Sequence, residues 1–252
     1  MEDAVRYQTI LGIRFLVGNA QQAIDQVAQQ GGLVVVPAAP ALKNLAWDAG
    51  YREALLGADF AIADSAFMVL LWNLIQHDSI PKLSGLKYLR QLIAQPQLRQ
   101  PGASFWVMPT PAAAERNRAW LAENGIALAD EDLYLAPHYS AAIDDPELLR
   151  RLEERRPRHI VVALGGGTQE RLGYFLKQSL SCHPAIHCIG AAIAFLSGDQ
   201  VRIPVWVDAW SLGWFWRTVS DPRRFIPRYW DARHLAALLL RYRDHLPQIE
   251  TP

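Results

Sequence analysis

Four short apolar runs, each followed at once by a helical pattern, constrain this chain more than any other feature. The runs are LVVVPA (33–38), ADFAIAD (58–64), ASFWVM (103–108) and HIVVAL (159–164). The segments after them, PALKNLAWDAGYREALLG, SAFMVLLWNLIQ, PAAAERNRAWLAENG and TQERLGYFLKQSL, carry apolar residues at helical spacing. Near-continuous apolar strands alternating with amphipathic helices predict an α/β fold: a Rossmann-like, mostly parallel sheet with helices on both faces. In such sheets ligands gather beyond the carboxyl ends of the strands, where loops and helix N-termini converge. That rule selects the positions from Pro37 to Pro40, Asp64 with Ser65, Pro109 to Pro111, and Gly165 to Glu170.

At 252 residues and 51% hydrophobic, the chain can bury a sizeable core but is short for two full domains. The expectation is an α/β domain over 1–200 and a Trp/Arg-rich helical appendage over 201–252. Lys+Arg and Asp+Glu balance at 25 each, so there is no global basic field to recruit nucleic acid. Two cysteines, Cys182 and Cys188, with no histidine pair at zinc spacing, argue against a disulfide scaffold or structural zinc. The N-terminus has acids first and Arg14 within its apolar stretch, unlike a signal peptide. No run approaches the roughly 18–20 apolar residues that cross a bilayer. A soluble or peripheral cytoplasmic protein is expected.

Three features carry chemistry. In VVALGGGTQERL, the glycines Gly165, Gly166 and Gly167 permit a sharp turn and close approach to a ligand, and the helix start favours an anion. No P-loop lysine follows, and Glu170 stands where a dinucleotide fingerprint wants glycine. The plainer alternative is a tight turn in which Glu170 meets only the helix dipole. Asp64 ends an apolar strand; it is either an ordinary helix N-cap or a general base at the sheet's carboxyl edge near the glycine loop. The third feature is WVDAWSLGWFWRTVSDPRRFIPRYW, with Trp206, Trp210, Trp214, Trp216 and Trp230 among arginines. From Arg217 to Arg228 four arginines face one acid, Asp221, a local charge of +3. Such a mixture suits an anionic membrane surface or a lipid diphosphate, or else a core-packing helix with solvated arginines. His138, His159, His183 and His187 are taken as structural, although His138 lies beside Tyr139.

In order along the chain, ALLGADFAIADS, KLSGLKYLRQLI, ALGGGTQERL, IGAAIAFLSGDQVRIP and LGWFWRTVSDPRRFIPRYW resemble the segments of the WecG/TagA/CpsF glycosyltransferases, glycosyltransferase family 26. The resemblance runs from about Gly12 to Tyr229. It implies metal-independent, inverting transfer of a sugar from a nucleotide-diphosphate donor, UDP-linked, to a polyprenyl-diphosphate-linked saccharide at the inner face of the cytoplasmic membrane, with no cofactor beyond the donor. Carried over by position, Asp64 would deprotonate the acceptor hydroxyl. Gln169, with Glu170 and Gly165 to Gly167, would sit at the donor, and Tyr139 would line the nucleotide pocket. Arg217, Arg224 and Arg228, with Trp214, would bind the acceptor diphosphate and membrane. Self-association is a further implication.

The chain departs from the family pattern in places. Thr-x-Asn at the first strand end is replaced by the Pro37 to Pro40 segment, the loop proline by Gly167, the glycine after the base by Ser65, an Asp by Ala194 and a Glu by Gly213. Those changes bear on donor identity and leave open a catalytically silent homologue that binds lipid-linked saccharide or scaffolds polysaccharide assembly. A nucleotide-dependent oxidoreductase on a similar sheet is the remaining alternative.

Overall fold

The computed structural model describes residues 6–140, 142–198 and 233–249. A hairpin opens the chain: β1 (Arg6–Ile10) and β2 (Ile13–Val17) pair antiparallel across a two-residue turn in which Leu11 and Gly12 both have positive φ. The later strands are β3 (Gly32–Val35), β4 (Phe60–Ile62), β5 (Ser104–Met108), β6 (Leu133–Leu135), β7 (His159–Val162) and β8 (Ala185–Cys188). They join the hairpin in one eight-stranded sheet of order β1-β2-β4-β3-β8-β7-β5-β6, in which every pairing except β1 with β2 is parallel.

Side-chain alternation divides the core into two layers. Val34, Trp106 and Val161 point to the side covered by α1 (Ala20–Gln30), α5 (Gly85–Ile93), α6 (Pro111–Glu123) and α9 (Ala192–Ser197). Leu33, Val35, Phe105, Val107, Ile160 and Val162 point to the other side, under α2 (Ala39–Leu42), α3 (Ala49–Leu56), α4 (Ala66–Gln76), α7 (Pro146–Arg155), α8 (Thr168–Ser179) and α10 (Arg233–Tyr242). The expected doubly covered sheet is therefore observed. Burying each such Val, Leu or Phe contributes roughly 1.5–3 kcal/mol, which is why the central strands carry almost no polar residue. Trp106 is fully buried because its indole N–H finds Ser104 Oγ at 3.1 Å.

Helix starts follow local chemistry. Asn19, Asp48, Ser65, Ser84, Thr110 and Asp145 each accept a backbone N–H of the helix they cap. Asp48 also explains a difference from the sequence expectation: the segment read as one helix over 40–57 is α2, a 3₁₀ turn at Lys43–Ala46, and then α3, restarted where Asp48 accepts from Tyr51 N at 2.9 Å. Gly173 lets α8 lie close on the sheet, since a Cβ there would stand 2.5 Å from Cys188 Sγ and 2.7 Å from Leu33 Cδ1.

The C-terminal residues 233–249 pack onto the same body. Leu235 and Leu239 of α10 are buried, α10 lies against α4 and α2, and the backbone carbonyls of Arg243 and Asp244 accept the N–H groups of Leu11 and Gly12 at the hairpin turn. The boundary expected at residue 200 adjoins 199–232, outside the described residues, as do Trp206, Trp210, Gly213, Trp214, Trp216, Arg217, Arg223, Arg224, Arg228 and Trp230.

Candidate active site

The strand order places a crevice between β3 and β8. These strands are neighbours, but the chain leaves β3 for α2 and α3 on one face and leaves β8 for α9 on the opposite face. Connections that diverge from adjacent parallel strands make a topological switch point, at whose carboxyl edge such sheets bind ligands, and the same divergence recurs at β8 with β7 and at β7 with β5. Around it stand the β3 end at Pro37 and Ala38, the β8 end at Gly190, Asp64 beyond β4 and the glycine loop beyond β7.

Asp64 is half-buried. Its Oδ1 accepts the Gly85 backbone N–H at 2.8 Å, so the carboxylate lies at the positive end of α5. Its Oδ2 has no partner among the described residues. The N-cap of α4 is the neighbouring Ser65, whose Oγ accepts from Met68 N at 3.1 Å. Asp64 is thus relieved of capping the helix that follows it and is steered by a helix 21 residues further on. Gly85 is needed there: a Cβ would fall 2.8 Å from Val36 Cγ1.

The glycine loop lies on the same edge but is not adjacent to Asp64. With β3 and β8 between their strands, three inter-strand spacings separate them, about 14 Å. The nearness expected from sequence is corrected by the strand order. The two elements can address opposite ends of an extended substrate, not one atom. Gly165 and Gly166 are exposed, and a Cβ on Gly165 or Gly167 would meet nothing within 4 Å, so the loop faces open space. Gly167, at φ 91, is the turn that starts α8.

Gln169 and Glu170 lie beneath this loop, 2% and 0% exposed. Glu170 Oε2 accepts the Gly167 N–H at 2.6 Å and Oε1 accepts Gln169 Nε2 at 3.0 Å. The Gln169 carbonyl oxygen of the side chain accepts the Gly190 N–H, and its backbone carbonyl accepts the Cys188 thiol at 3.1 Å. One buried polar network thus ties the end of β7 to the end of β8 across the floor of the crevice. Burial pushes the Glu170 carboxyl up to about 7, against the lowering effect of the Gly167 and Gln169 donors and the Arg171 charge. The carboxylate occupies the helix N-terminal position that a ligand anion would otherwise use.

Gln169→Leu keeps the volume but orphans the Gly190 N–H and one Glu170 oxygen. An expected cost of about 1–3 kcal/mol is measurable by urea unfolding. Unchanged stability would show that the network does not hold the loop.

Tyr139 is half-buried beyond β6, and its hydroxyl donates to Asp145 Oδ2 at 2.6 Å. Tyr134 donates to the same carboxylate at 3.0 Å. Burial and this bond raise the Tyr139 hydroxyl and push Tyr134 up to about 12. The Tyr139 phenol is thus fixed by Asp145, and its ring packs against the core layer on the α7 side of the sheet.

Two features escaped sequence reasoning. One is the contact made by the start of α5: KLSGLKYLRQLI is legible as a Gly-containing helix start, but not that its Gly85 N–H, beside the Ser84 cap, steers Asp64. The other is a polar chain under the sheet: Tyr88 OH lies 2.7 Å from His187 Nδ1, and His187 Nε2 lies 3.1 Å from His159 Nδ1. Burial pushes His159 down to about 4 and holds His187 well below the ordinary histidine range, so both rings are neutral in the fold, consistent with structural histidines. Through Tyr88 they anchor α5 to β8.

Residues 8–248 match the glycosyl transferase WecG/TagA/CpsF family. The chain belongs to that family. It is similar to the N-acetylglucosaminyldiphosphoundecaprenol N-acetyl-beta-D-mannosaminyltransferase of Bacillus subtilis (strain 168), with 22% identity over 236 residues that cover 88% of this chain and 89% of the relative. As a WecG/TagA/CpsF member the protein is a glycosyltransferase. Among the described residues no helix is long and apolar enough to cross a membrane.

Proposed function

We propose that this WecG/TagA/CpsF protein transfers a sugar from a UDP-linked donor to a polyprenyl-diphosphate-linked saccharide, with inversion, in the synthesis of a cell-surface or secreted polysaccharide. The observation that carries this reading is Asp64 at the switch-point crevice, held through one oxygen by Gly85 with the other unclaimed among the described residues. The relative, whose name specifies an N-acetylglucosaminyl-diphosphoundecaprenol acceptor and an N-acetylmannosaminyl group, supports the acceptor class.

In the proposed reaction the acceptor hydroxyl gives its proton to Asp64 Oδ2 as its oxygen forms a bond to the anomeric carbon. The bond from that carbon to the nucleoside diphosphate breaks from the opposite side, so the configuration inverts. The departing diphosphate needs positive potential, for which the arginines of the tail, Arg217, Arg224 and Arg228, are the main proposed source, with the backbone amides of Gly165 and Gly166 beside them because Glu170 takes that of Gly167. Gln169 and Glu170 act from below as positioning residues for the loop. Tyr139 offers its ring to the nucleobase. The β3 end contributes no polar side chain, because Pro37, Ala38, Ala39 and Pro40 occupy it, so the donor sugar is recognised mainly from the other side of the crevice. The reaction is proposed to take place at the inner face of the cytoplasmic membrane.

The test is transfer of radiolabelled sugar from a panel of UDP-sugars to N-acetylglucosaminyl-diphosphoundecaprenol. Incorporation above background with one donor class is expected. Background incorporation with every nucleotide sugar and lipid-linked acceptor would favour the silent homologue, a reading to which the apolar β3 end lends some weight.

A further inference from the structure

The chain from β3 into α2 runs along the crevice from the proposed base to the glycine loop. At its start, a Cβ on Gly85 would stand 2.8 Å from Val36 Cγ1 and 3.7 Å from Asp64 Cγ. At its end, a Cβ on Gly166 would stand 3.6 Å from Ala41 Cβ. Between these contacts come Pro37, Ala38, Ala39 and Pro40, of which Ala38 and Pro40 are partly exposed. The neighbouring β8 end continues into Gly190, partly exposed, and Ala191, exposed. Neither segment carries a side chain able to make a hydrogen bond. Gln169, which does reach Gly190, is 2% exposed, and its amide is engaged with the Gly190 N–H and with Glu170.

Position decides what these segments touch. In the proposed inverting transfer the acceptor hydroxyl, the anomeric carbon and the departing diphosphate lie in one line. With Asp64 beyond β4 and the glycine loop beyond β7, the sugar ring falls over the ends of β3 and β8, the two strands between them. A hydroxyl pressed against alanine and proline there loses its water and gains no partner, an unfavourable exchange. A methyl group in the same place leaves water and gains contact, which is favourable. Such a wall selects a sugar by the oxygen it lacks.

We infer that residues 37–40, with Gly190 and Ala191 of the β8 end, form the specificity-determining wall for the transferred sugar, and that the donor carries a 6-deoxy sugar whose methyl group meets that wall. The inference rests on the proposed sugar transfer and names the class of sugar moved. Position 6 is singled out because only its deoxygenation leaves a methyl, the largest apolar group a hexose can present. A sugar hydroxylated at that carbon would strand an oxygen against the wall, and a uronic acid would strand a charge.

The experiment compares UDP-linked hexoses and N-acetylhexosamines of the gluco, galacto and manno series, each against its 6-deoxy counterpart. Initial rates of transfer to N-acetylglucosaminyl-diphosphoundecaprenol give kcat/KM for each donor, and calorimetric titration gives its affinity without transfer. The wild type is expected to favour the deoxy member of its preferred pair by about tenfold to a hundredfold, the range in which an apolar pocket disfavours an added hydroxyl. Ala38→Thr places a hydroxyl on the wall. Ala38 is the N-cap of α2, with extended backbone at φ -87 and ψ 151, where threonine is favoured, so the melting temperature should not fall. The threonine oxygen can accept an N–H of α2 while its proton remains for a sugar hydroxyl, and the deoxy preference should shrink by about threefold or more. Ala191→Ser gives the same reading from the β8 end. Equal or better use of the hydroxylated donors by the wild type would overturn the inference, as would a deoxy preference that both variants, folded, leave unchanged. Absence of transfer from every donor, with the deoxy preference present in calorimetry, would count against the transferase reading and leave the wall standing. No transfer and no discrimination in binding would overturn both.

Discussion

Asp64→Asn is expected to lower sugar transfer by roughly 10²–10⁴-fold, the range over which a positioned general base contributes. The substitution separates chemistry from architecture. An asparagine carbonyl oxygen can still accept the Gly85 N–H that holds Asp64 at 2.8 Å, so the start of α5 and the end of β4 stay joined and the melting temperature should scarcely change. What disappears is the basic oxygen. Loss of turnover with donor affinity preserved, measured by initial rates and by calorimetric titration of the nucleotide sugar, is the expected pattern. Transfer at the wild-type rate would remove Asp64 from the mechanism, and with it the proposed reaction.

The second large effect concerns stability as a function of pH. Glu170 is fully buried and its carboxyl is pushed up to about 7 from an ordinary 4.5, chiefly because burial penalises the charge. An acid whose folded pKa lies above its unfolded value favours the folded state when protonated. Its contribution is fully present below about pH 4.5 and is lost as pH rises through about 7. A shift of that size corresponds to about 3 kcal/mol. Thermal melting of wild type and Glu170→Gln between pH 4.5 and 8.5 isolates it, since other titrating groups cancel in the difference. The wild type should lose stability relative to the variant across that window, because glutamine remains neutral throughout. Parallel curves would show that Glu170 does not titrate there. The same ionisation bears on the glycine loop: the charged carboxylate holds the Gly167 N–H more strongly and adds negative potential at the start of α8.

Much of the architecture was legible in the sequence because its cause is local. The runs ending at Val35, Ile62, Met108 and Val162 are apolar on both faces and are followed by segments with helical spacing, and that pattern admits few folds other than a doubly covered parallel sheet. The elements that escaped are those whose signal is mixed. β1 and β2 carry Arg6, Gln8, Thr9 and Arg14 because an edge hairpin keeps one side wet. β8 hides His187 in the core, where Tyr88 and His159 satisfy the ring by contacts remote in sequence. The long helix expected after β3 breaks at Asp48, a residue whose preference for capping outweighed the helical spacing around it.

For the site, the sequence by itself determined the inventory: an acid after one strand, a glycine turn with Gln169 and Glu170 after another, both at carboxyl ends. It did so because strand direction and chain order place every such loop on one edge of a parallel sheet. Only the tertiary structure decided how those loops are spaced and what each side chain is free to do. Inserting β3 and β8 between β4 and β7 keeps Asp64 away from the glycine loop, and burying Gln169 and Glu170 assigns them to the floor of the crevice. The partner that steers Asp64 comes from a helix packed on the opposite face from the one it precedes. Lateral strand order and side-chain burial arise from the packing of segments remote along the chain, and local sequence preference encodes neither.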